Sequence, residues 1–341
     1  MAYDNILTAL KNACIDISLS LKNGNTGELS NQVGYINQSG DYTNNIDLYS
    51  NQIIKGELMK CLNVWGIASE EDKGITSRFS DDDDCTYFVS FDPLDGSGNV
   101  DCNISVGTIF TIFETPEGVY PKSGRDIVCA GYCMYSQCTQ LVIADKDGVK
   151  MYTLHSHIKT FTNEQIIEIP EKGCLYSINE SNKYRWEQFN DGKNVCVGCM
   201  SQTPKSNSVY SKLIDTFINE KYTMRWIGTM VADCHRTLLK GGLFAYPSDS
   251  KNIEGRIRLV YEAYPFAYIF QQAGGYSSNG YTNILQLEFP KNIHQKTQVL
   301  LSSKKEFDMF VELASSLYGL GNEDFHHHYG VDNVDDSENI E

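Results

Sequence analysis

Phe91-Asp92-Pro93-Leu94-Asp95-Gly96-Ser97-Gly98-Asn99-Val100-Asp101 places two carboxylates three residues apart on a proline-bent turn that runs into small residues. Asp92 and Asp95 can reach one hard cation from such a bend, and the Leu94 carbonyl can add a further oxygen ligand. Gly96, Ser97 and Gly98 leave backbone N–H groups uncovered, and a row of such groups in a turn makes a nest for an anion. The preceding run, Tyr87-Phe88-Val89-Ser90-Phe91, is aromatic and β-branched. It therefore reads as a buried strand that delivers the turn at its carboxyl end, where ligand sites of open α/β sheets usually lie. Asp, Pro and Gly are also ordinary turn formers, so the reading depends on what else the chain offers the same place.

Three other segments offer complementary chemistry. Ser69-Glu70-Glu71-Asp72 follows Leu62-Asn63-Val64-Trp65-Gly66-Ile67-Ala68, a helix-to-strand passage, and puts three carboxylates at a second strand end. Like charges so crowded need a cation or a proton to coexist, unless the segment is a solvated loop. Gly255-Arg256-Ile257-Arg258-Leu259-Val260-Tyr261-Glu262 alternates charged and apolar residues and then passes through Pro265 into an apolar run ending at Gly274-Gly275. It reads as strand, turn and helix, and the two-residue strand period puts Arg256, Arg258 and Glu262 on one face. Two guanidiniums beside a carboxylate suit a phosphate next to a metal. Met224-Arg225-Trp226-Ile227-Gly228-Thr229-Met230-Val231-Ala232-Asp233 starts with a cation and continues into small residues, a second candidate anion contact.

With these segments together, the chain resembles the class I sugar bisphosphatases, the family of fructose-1,6-bisphosphatase and sedoheptulose-1,7-bisphosphatase. The similarity runs from about Ile6 to about Leu313. It is carried, in order, by Gly40-Asp41 with Asn45-Ile46-Asp47, the Ser69 and Phe91 segments, Val106-Gly107-Thr108-Ile109-Phe110, Val231-Ala232-Asp233 and Arg258-Leu259-Val260-Tyr261-Glu262. The resemblance implies hydrolysis of the 1-phosphate of a ketose bisphosphate. It implies two or more magnesium or manganese ions held by Glu70, Glu71, Asp92, Asp95, Glu262 and the Leu94 carbonyl. Asp47 and Glu71 would orient and deprotonate the attacking water, and Asp41 and Asp47 would lie on a mobile loop, Gln38 to Asn51, that closes over the metals. Gly96, Ser97 and Arg258 would steady the 1-phosphate. Asn179, Arg225, Met230, Tyr246 and Arg256 would meet the sugar and the distal phosphate. Arg225 would reach the neighbouring subunit's site, so a homo-oligomer, dimer or tetramer, is expected. Adjacent divalent ions can neutralise phosphoryl oxygens, stabilise the departing alkoxide and orient a water in line, which slow phosphate monoester chemistry requires.

Departures from the commoner fructose bisphosphatase pattern shape finer expectations. The chain starts almost at that family's second helix, Thr26-Gly27-Glu28-Leu29 sits too late to serve as its nucleotide-binding segment, and Thr86 and Glu114 stand where basic residues bind AMP. No AMP inhibition is expected, since neither residue attracts an anion. Trp226 replaces a tyrosine that donates to the distal phosphate, the tyrosine expected after Asn179 is displaced to Tyr184 or absent, Arg256 replaces a lysine and Gly98 a serine. Indole and guanidinium geometries differ from those they replace. With the sedoheptulose-like segment Ser211 to Arg225, these changes tilt the expectation slightly toward sedoheptulose-1,7-bisphosphate. Val231 to Thr237 follows the fructose version and keeps fructose-1,6-bisphosphate as the close alternative. A catalytically inactive sugar-phosphate sensor is the rival from another class, disfavoured by the intact carboxylate set.

The expected fold is α/β, a layered α-β-α-β-α sandwich with two mixed sheets and the site between its halves. An amino-terminal metal-binding half, 1–165, precedes a sugar-phosphate-binding half, 166–320, and an acidic tail, 321–341, expected to be disordered. Helices are expected from Ile6 to Leu21 and Gln52 to Leu62. First-sheet strands are expected near Trp65, Tyr87, Ile104 and Leu141, and second-half strands near Cys174, Cys196, Arg225, Phe244, Ile257 and Val299. A formal net charge of -16 over 341 residues argues against nucleic acid or an anionic membrane as partner. No membrane span or signal-peptide layout is seen, so a cytoplasmic enzyme is expected. Eleven scattered cysteines fit reduced thiols, and Cys196-Val197-Gly198-Cys199 is the only such pair, where a structural zinc normally needs a second pair or two histidines. Asp81 to Asp84 reads as a solvated run, and His326 to His328 is left outside the site.

Overall fold

The structure is a computed structural model that describes residues 2–24, 32–36, 42–78, 86–179, 209–249 and 251–318. Its first half carries α1 (Asp4–Asn23), β1 (Gln32–Ile36), β2 (Tyr42–Asn44), α2 (Asn45–Leu58), β3 (Val64–Ser69), β4 (Thr76–Ser77), β5 (Tyr87–Asp95), β6 (Val106–Glu114), β7 (Ile127–Tyr135), β8 (Thr139–Asp145), β9 (Gly148–His155) and β10 (Thr160–Ile167). The second carries β11 (Leu175–Ile178), α3 (Val209–Asn219), β12 (Thr223–Met224), α4 (Met230–Lys240), β13 (Leu243–Tyr246), β14 (Ile257–Arg258), α5 (Tyr264–Gln272), β15 (Tyr276–Ser278), β16 (Lys296–Thr297), β17 (Val299–Ser302) and α6 (Lys304–Tyr318).

Two sheets organise the chain. An eight-stranded sheet has the order β10-β9-β8-β7-β6-β5-β3-β4, and a five-stranded sheet the order β12-β11-β13-β17-β15. Both are mixed: β3 runs parallel to β5, which is antiparallel to β6, and β11 is parallel to β13, which is antiparallel to β17. Strand alternation sorts side chains between layers. In β5, Phe88 faces one cluster while Tyr87, Val89 and Phe91 face another. In β13, Phe244 joins the central cluster and Leu243 and Ala245 the opposite one.

The clusters define five layers. Ile6, Leu10, Ala13 and Ile17 of α1 recur at helical spacing and, with Ile54 and Leu58 of α2, cover the outer face of the large sheet. Val231, Cys234 and Leu238 of α4 and Phe266, Ile269 and Phe270 of α5 fill the space between the sheets. Leu213 and Phe217 of α3 and Phe307, Phe310 and Val311 of α6 cover the far face of the small sheet. This is the α-β-α-β-α sandwich expected from the sequence.

Local differences have physical reasons. The segment expected as loop up to Asn51 is helical from Asn45, because Asn44 and Asp47 form a capping box that satisfies amides at the start of α2. That helix stops at Leu58, and Leu62, expected as its end, is 76% exposed. Ile104 lies outside any strand, two residues before β6. Ile257 belongs to a separate two-stranded ribbon, β14 with β16, and not to the second sheet. The antiparallel meander from β6 to β10 is far more extensive than the single strand expected near Leu141. The strand expected near Cys196, the Cys196–Cys199 pair, Asp81–Asp84, Tyr184, Asp41 and the tail lie outside the described residues. The eight described cysteines are free thiols.

Candidate active site

β3 and β5 lie side by side, with Ser69 opposite Phe91 and the Glu70 N–H donating to the Phe91 carbonyl at 3.2 Å. The acidic turn after β3 is thereby fixed beside Asp92. On a regular strand, residues three apart point to opposite faces. Between Asp92 and Asp95 the pairing with β6 slips: Asp92 faces Ile109 and Asp95 faces Gly107, so β5 advances three residues while β6 advances two. This bulge re-aims the second carboxylate. One carboxylate oxygen from each of Asp92, Asp95 and Glu262 then falls within 4.8 Å of the others, and all three residues are buried.

Glu262 arrives differently from the sequence expectation. The strand ends at Arg258, and Leu259–Ala263 forms a π-helical turn that leads into α5. Arg258 and Glu262 meet because a helical turn returns the carboxylate: the Arg258 N–H donates to Glu262 Oε2 at 2.6 Å. The strand-period argument for one shared face therefore fails, while the juxtaposition survives on helical spacing. Such turns interrupt helices at functional positions. The Arg258 guanidinium lies 3.1 Å from Glu70 Oε1 and 3.9 Å from Glu262 Oε2.

The electrostatics are those of an anionic pocket short of positive charge. Burial, partly offset by Arg258 and reinforced by Glu262, pushes the Glu70 carboxyl up to about 7. Burial holds Asp92 well above the usual carboxylate range, with Glu70 and Asp95 adding to the effect. Asp95 is pushed up to about 7 by burial although it accepts the Val231 N–H at 2.8 Å, in the first turn of α4. An all-oxygen, closely spaced, desolvated carboxylate set suits a hard divalent cation, whose charge would offset the repulsion. These residues fit a metal.

Asp47 sits at the third position of α2. Its Oδ2 accepts the Asn44 N–H at 2.8 Å, and Asn44 Nδ2 donates to Ser97 Oγ at 3.3 Å. Burial, then Glu71 and Glu70, push Asp47 up to about 7 against the backbone and Ser97 hydrogen bonds. α2 also braces the acidic turn. Asn51 accepts from Ser69 Oγ at 2.8 Å and donates to Asp72 at 3.0 Å, while Lys55 Nζ lies 2.5 Å from Asp72 Oδ2.

Gly96 adopts φ 76°, and a Cβ there would lie 2.1 Å from Thr229 Cγ2. Only glycine lets the turn Ser97–Asn99 press against the start of α4 in this way. Leu94 is buried, its N–H donating to Asp92 Oδ1 at 2.9 Å.

A cleft of about 510 Å³ opens beside the carboxylates. Asn179, Met230, Tyr246, Arg256, Arg258, Asp95 and Glu262, all singled out in the sequence, line it. Arg225 does not: it is exposed and its guanidinium bonds the Met224 carbonyl at 3.1 Å, while Met224 and Trp226 on either side face the cleft. The Trp226 ring stacks on Phe244 with centroids 6.3 Å apart and tilts against Tyr246 at 5.9 Å. Thr229, inside the stretch read from the sequence as an anion contact, and Lys296, which the sequence reading passed over, also line the cleft. Thr229 carries a signal, since it caps α4 by accepting the Ala232 N–H. Lys296 had none, because it enters through β16 pairing with Arg258.

Known proteins resemble the chain over most of its length. The family described as fructose-1-6-bisphosphatase, N-terminal domain, matches residues 1–165, and the corresponding C-terminal domain matches residues 169–315. The chain is 36% identical over 314 residues to the class 1 fructose-1,6-bisphosphatase of Persephonella marina, covering 91% of each. It is 34% identical over 321 residues to the cytosolic fructose-1,6-bisphosphatase of Brassica napus, covering 92% of this chain and 88% of that one. The holo-form crystal structure of Leishmania major fructose-1,6-bisphosphatase superposes with a TM-score of 0.79 at 32% identity, over 92% of this chain and 94% of that one.

Proposed function

Because the chain belongs to the fructose-1,6-bisphosphatase family and is a phosphoric monoester hydrolase, we propose that it hydrolyses fructose-1,6-bisphosphate to fructose 6-phosphate and phosphate. The slight sequence-based tilt to sedoheptulose-1,7-bisphosphate finds no support among the relatives, which are named for the six-carbon substrate. The observation that carries the proposal is the buried cluster of Asp92, Asp95 and Glu262 opening into a cleft lined by Arg256 and Arg258.

Magnesium, or manganese, would be held by Asp92, Asp95, Glu262, Glu70 and Glu71 with the Leu94 carbonyl, and when bound it supplies Lewis-acid neutralisation of the phosphoryl oxygens. Asp47, with its carboxyl raised to about 7, and Glu71 beside it take up the proton of the attacking water. Asp41 belongs to the same catalytic group by the resemblance. Arg258, held against Glu70, and the backbone of Gly96 and Ser97 orient the 1-phosphate. Arg256, Asn179, Tyr246 and Met230 position the sugar and distal phosphate across the cleft. The exposed Arg225 fits a role in a neighbouring subunit's site, so the enzyme acts as a homo-oligomer. Thr86 and Glu114, close together where Thr115 N–H bonds the Thr86 carbonyl at 2.9 Å, offer AMP no cation, so AMP does not inhibit. Among the described residues no helix is long and apolar enough to cross a membrane, and a cytosolic enzyme fits the family.

The test is phosphate release with magnesium from fructose-1,6-bisphosphate and sedoheptulose-1,7-bisphosphate in parallel, using wild type and Glu71→Gln. The proposal expects a higher kcat/KM for the six-carbon sugar and loss of most activity in Glu71→Gln. Preference for the seven-carbon sugar would overturn the substrate assignment, and undiminished turnover in Glu71→Gln would overturn the role of that carboxylate.

A further inference from the structure

The carboxylates of the site come from three separate stretches: Glu70 and Glu71 after β3, Asp92 and Asp95 at the end of β5, and Glu262 on the π-helical turn. β3 and β5 are hydrogen-bonded neighbours. The π-helical turn is not part of that sheet. It is tied to β5 by the Ser90 hydroxyl, which donates to the Val260 carbonyl at 3.0 Å, and to Glu70 through Arg258.

A third tie comes from a largely buried residue that does not line the carboxylate cleft. The imidazole of His294, 7% exposed, lies with Nε2 3.0 Å from the Asp72 carbonyl and Nδ1 2.8 Å from the Tyr261 hydroxyl. A carbonyl only accepts, so Nε2 carries the hydrogen, and in the neutral ring Nδ1 accepts from the tyrosine. One rigid ring thus bridges the residue after Glu71 to the residue before Glu262. Its own backbone is anchored: the His294 N–H donates to Asn292 Oδ1 at 3.0 Å, and the Leu259 N–H donates to the Gln295 carbonyl at 2.8 Å.

We propose that His294 is a positioning residue for the metal site, clipping the acidic turn after β3 to the π-helical turn so that the carboxylates on both are held at coordinating separation. The inference rests on the metal-site reading above. Outer groups that fix the orientation of ligands typically change metal affinity by about 10–100-fold when removed. His294→Phe keeps a planar ring and removes both hydrogen bonds, His294→Gln can restore a donor and an acceptor, and Tyr261→Phe removes one hydroxyl.

Manganese binding to the full chain without substrate, followed by titration calorimetry, reads the effect directly, and activity against metal concentration gives the second readout. The expected result is a Kd at least tenfold higher in His294→Phe, at least partly restored in His294→Gln, with a parallel rise in the metal concentration for half-maximal activity. A Kd within twofold of wild type in folded His294→Phe would overturn the proposal, as would equal losses in the Phe and Gln variants. If His294→Phe does not fold, Tyr261→Phe decides: a Kd raised about threefold or more supports the clip and an unchanged one overturns it. Wild type that binds no manganese overturns the metal-site reading, and the clip with it.

Discussion

Gly96→Ala tests the close approach that places the small-residue turn against α4. The methyl would meet Thr229 Cγ2 at 2.1 Å and Cβ at 2.8 Å, and the backbone there is left-handed, with φ 76°. The left-handed conformation costs a non-glycine residue about 1–2 kcal/mol, and overpacking a close-packed contact costs about 1–3 kcal/mol. The sum predicts a loss of about 2–5 kcal/mol. Thr229→Ser removes the nearer of the two clashing atoms and keeps the hydroxyl that caps α4. By itself it should cost about 1 kcal/mol, the value of one buried methyl group. In the double variant most of the steric part should disappear while the conformational part and the 2.8 Å contact remain, a favourable coupling of about 1–2 kcal/mol. Urea unfolding of the four proteins measures the cycle. Phosphate release should show KM rising about tenfold in Gly96→Ala, because the Ser97 segment, proposed to orient the 1-phosphate, is displaced. Additivity within about 0.5 kcal/mol, the expectation for independent sites, would refute the contact and with it the reason for glycine.

Burial lowers His235 to about 4, and its Nδ1 lies 2.8 Å from the Tyr132 hydroxyl. Between about pH 6.5 and 4 the unfolded chain binds the extra proton, so this residue's contribution to stability falls as pH falls, by about 2 kcal/mol at pH 5 relative to pH 8. The difference in unfolding free energy between wild type and His235→Gln should shrink by that amount on acidification, and a pH-independent difference would contradict it. Arg258→Lys keeps the charge but not the planar fork that reaches both Glu70 and Glu262. Its kcat/KM should fall at least tenfold, about 1.4 kcal/mol in transition-state terms, and a value within twofold of wild type would show that charge alone suffices.

The sequence made the layers and most of the site legible because both rest on local patterns. The aromatic run before Asp92 announced β5, the helix expected from Ile6 to Leu21 is α1, and charged residues between small or apolar ones marked the cleft lining. What was not legible depends on pairing between distant segments. The bulge that turns Asp95 to the same side as Asp92 exists only through the register with β6. Glu262 was placed by a strand period that ends at Arg258, because a π-helical turn has no signature in residue type. Lys296 and His294 reach the site through β16 and its flanks, over two hundred residues from the acidic turn that His294 touches. The start of α2 was missed because an Asn-rich stretch reads as loop, although Asn44 and Asp47 are capping residues.

The most direct test of the account is a phosphorus NMR time course on fructose-1,6-bisphosphate with the wild-type enzyme, in magnesium and again after chelation with EDTA. Metal-dependent hydrolysis at carbon 1 predicts loss of the 1-phosphate resonance, matching growth of inorganic phosphate and an intact 6-phosphate, all abolished by EDTA. Release from carbon 6, or undiminished turnover in EDTA, would contradict it.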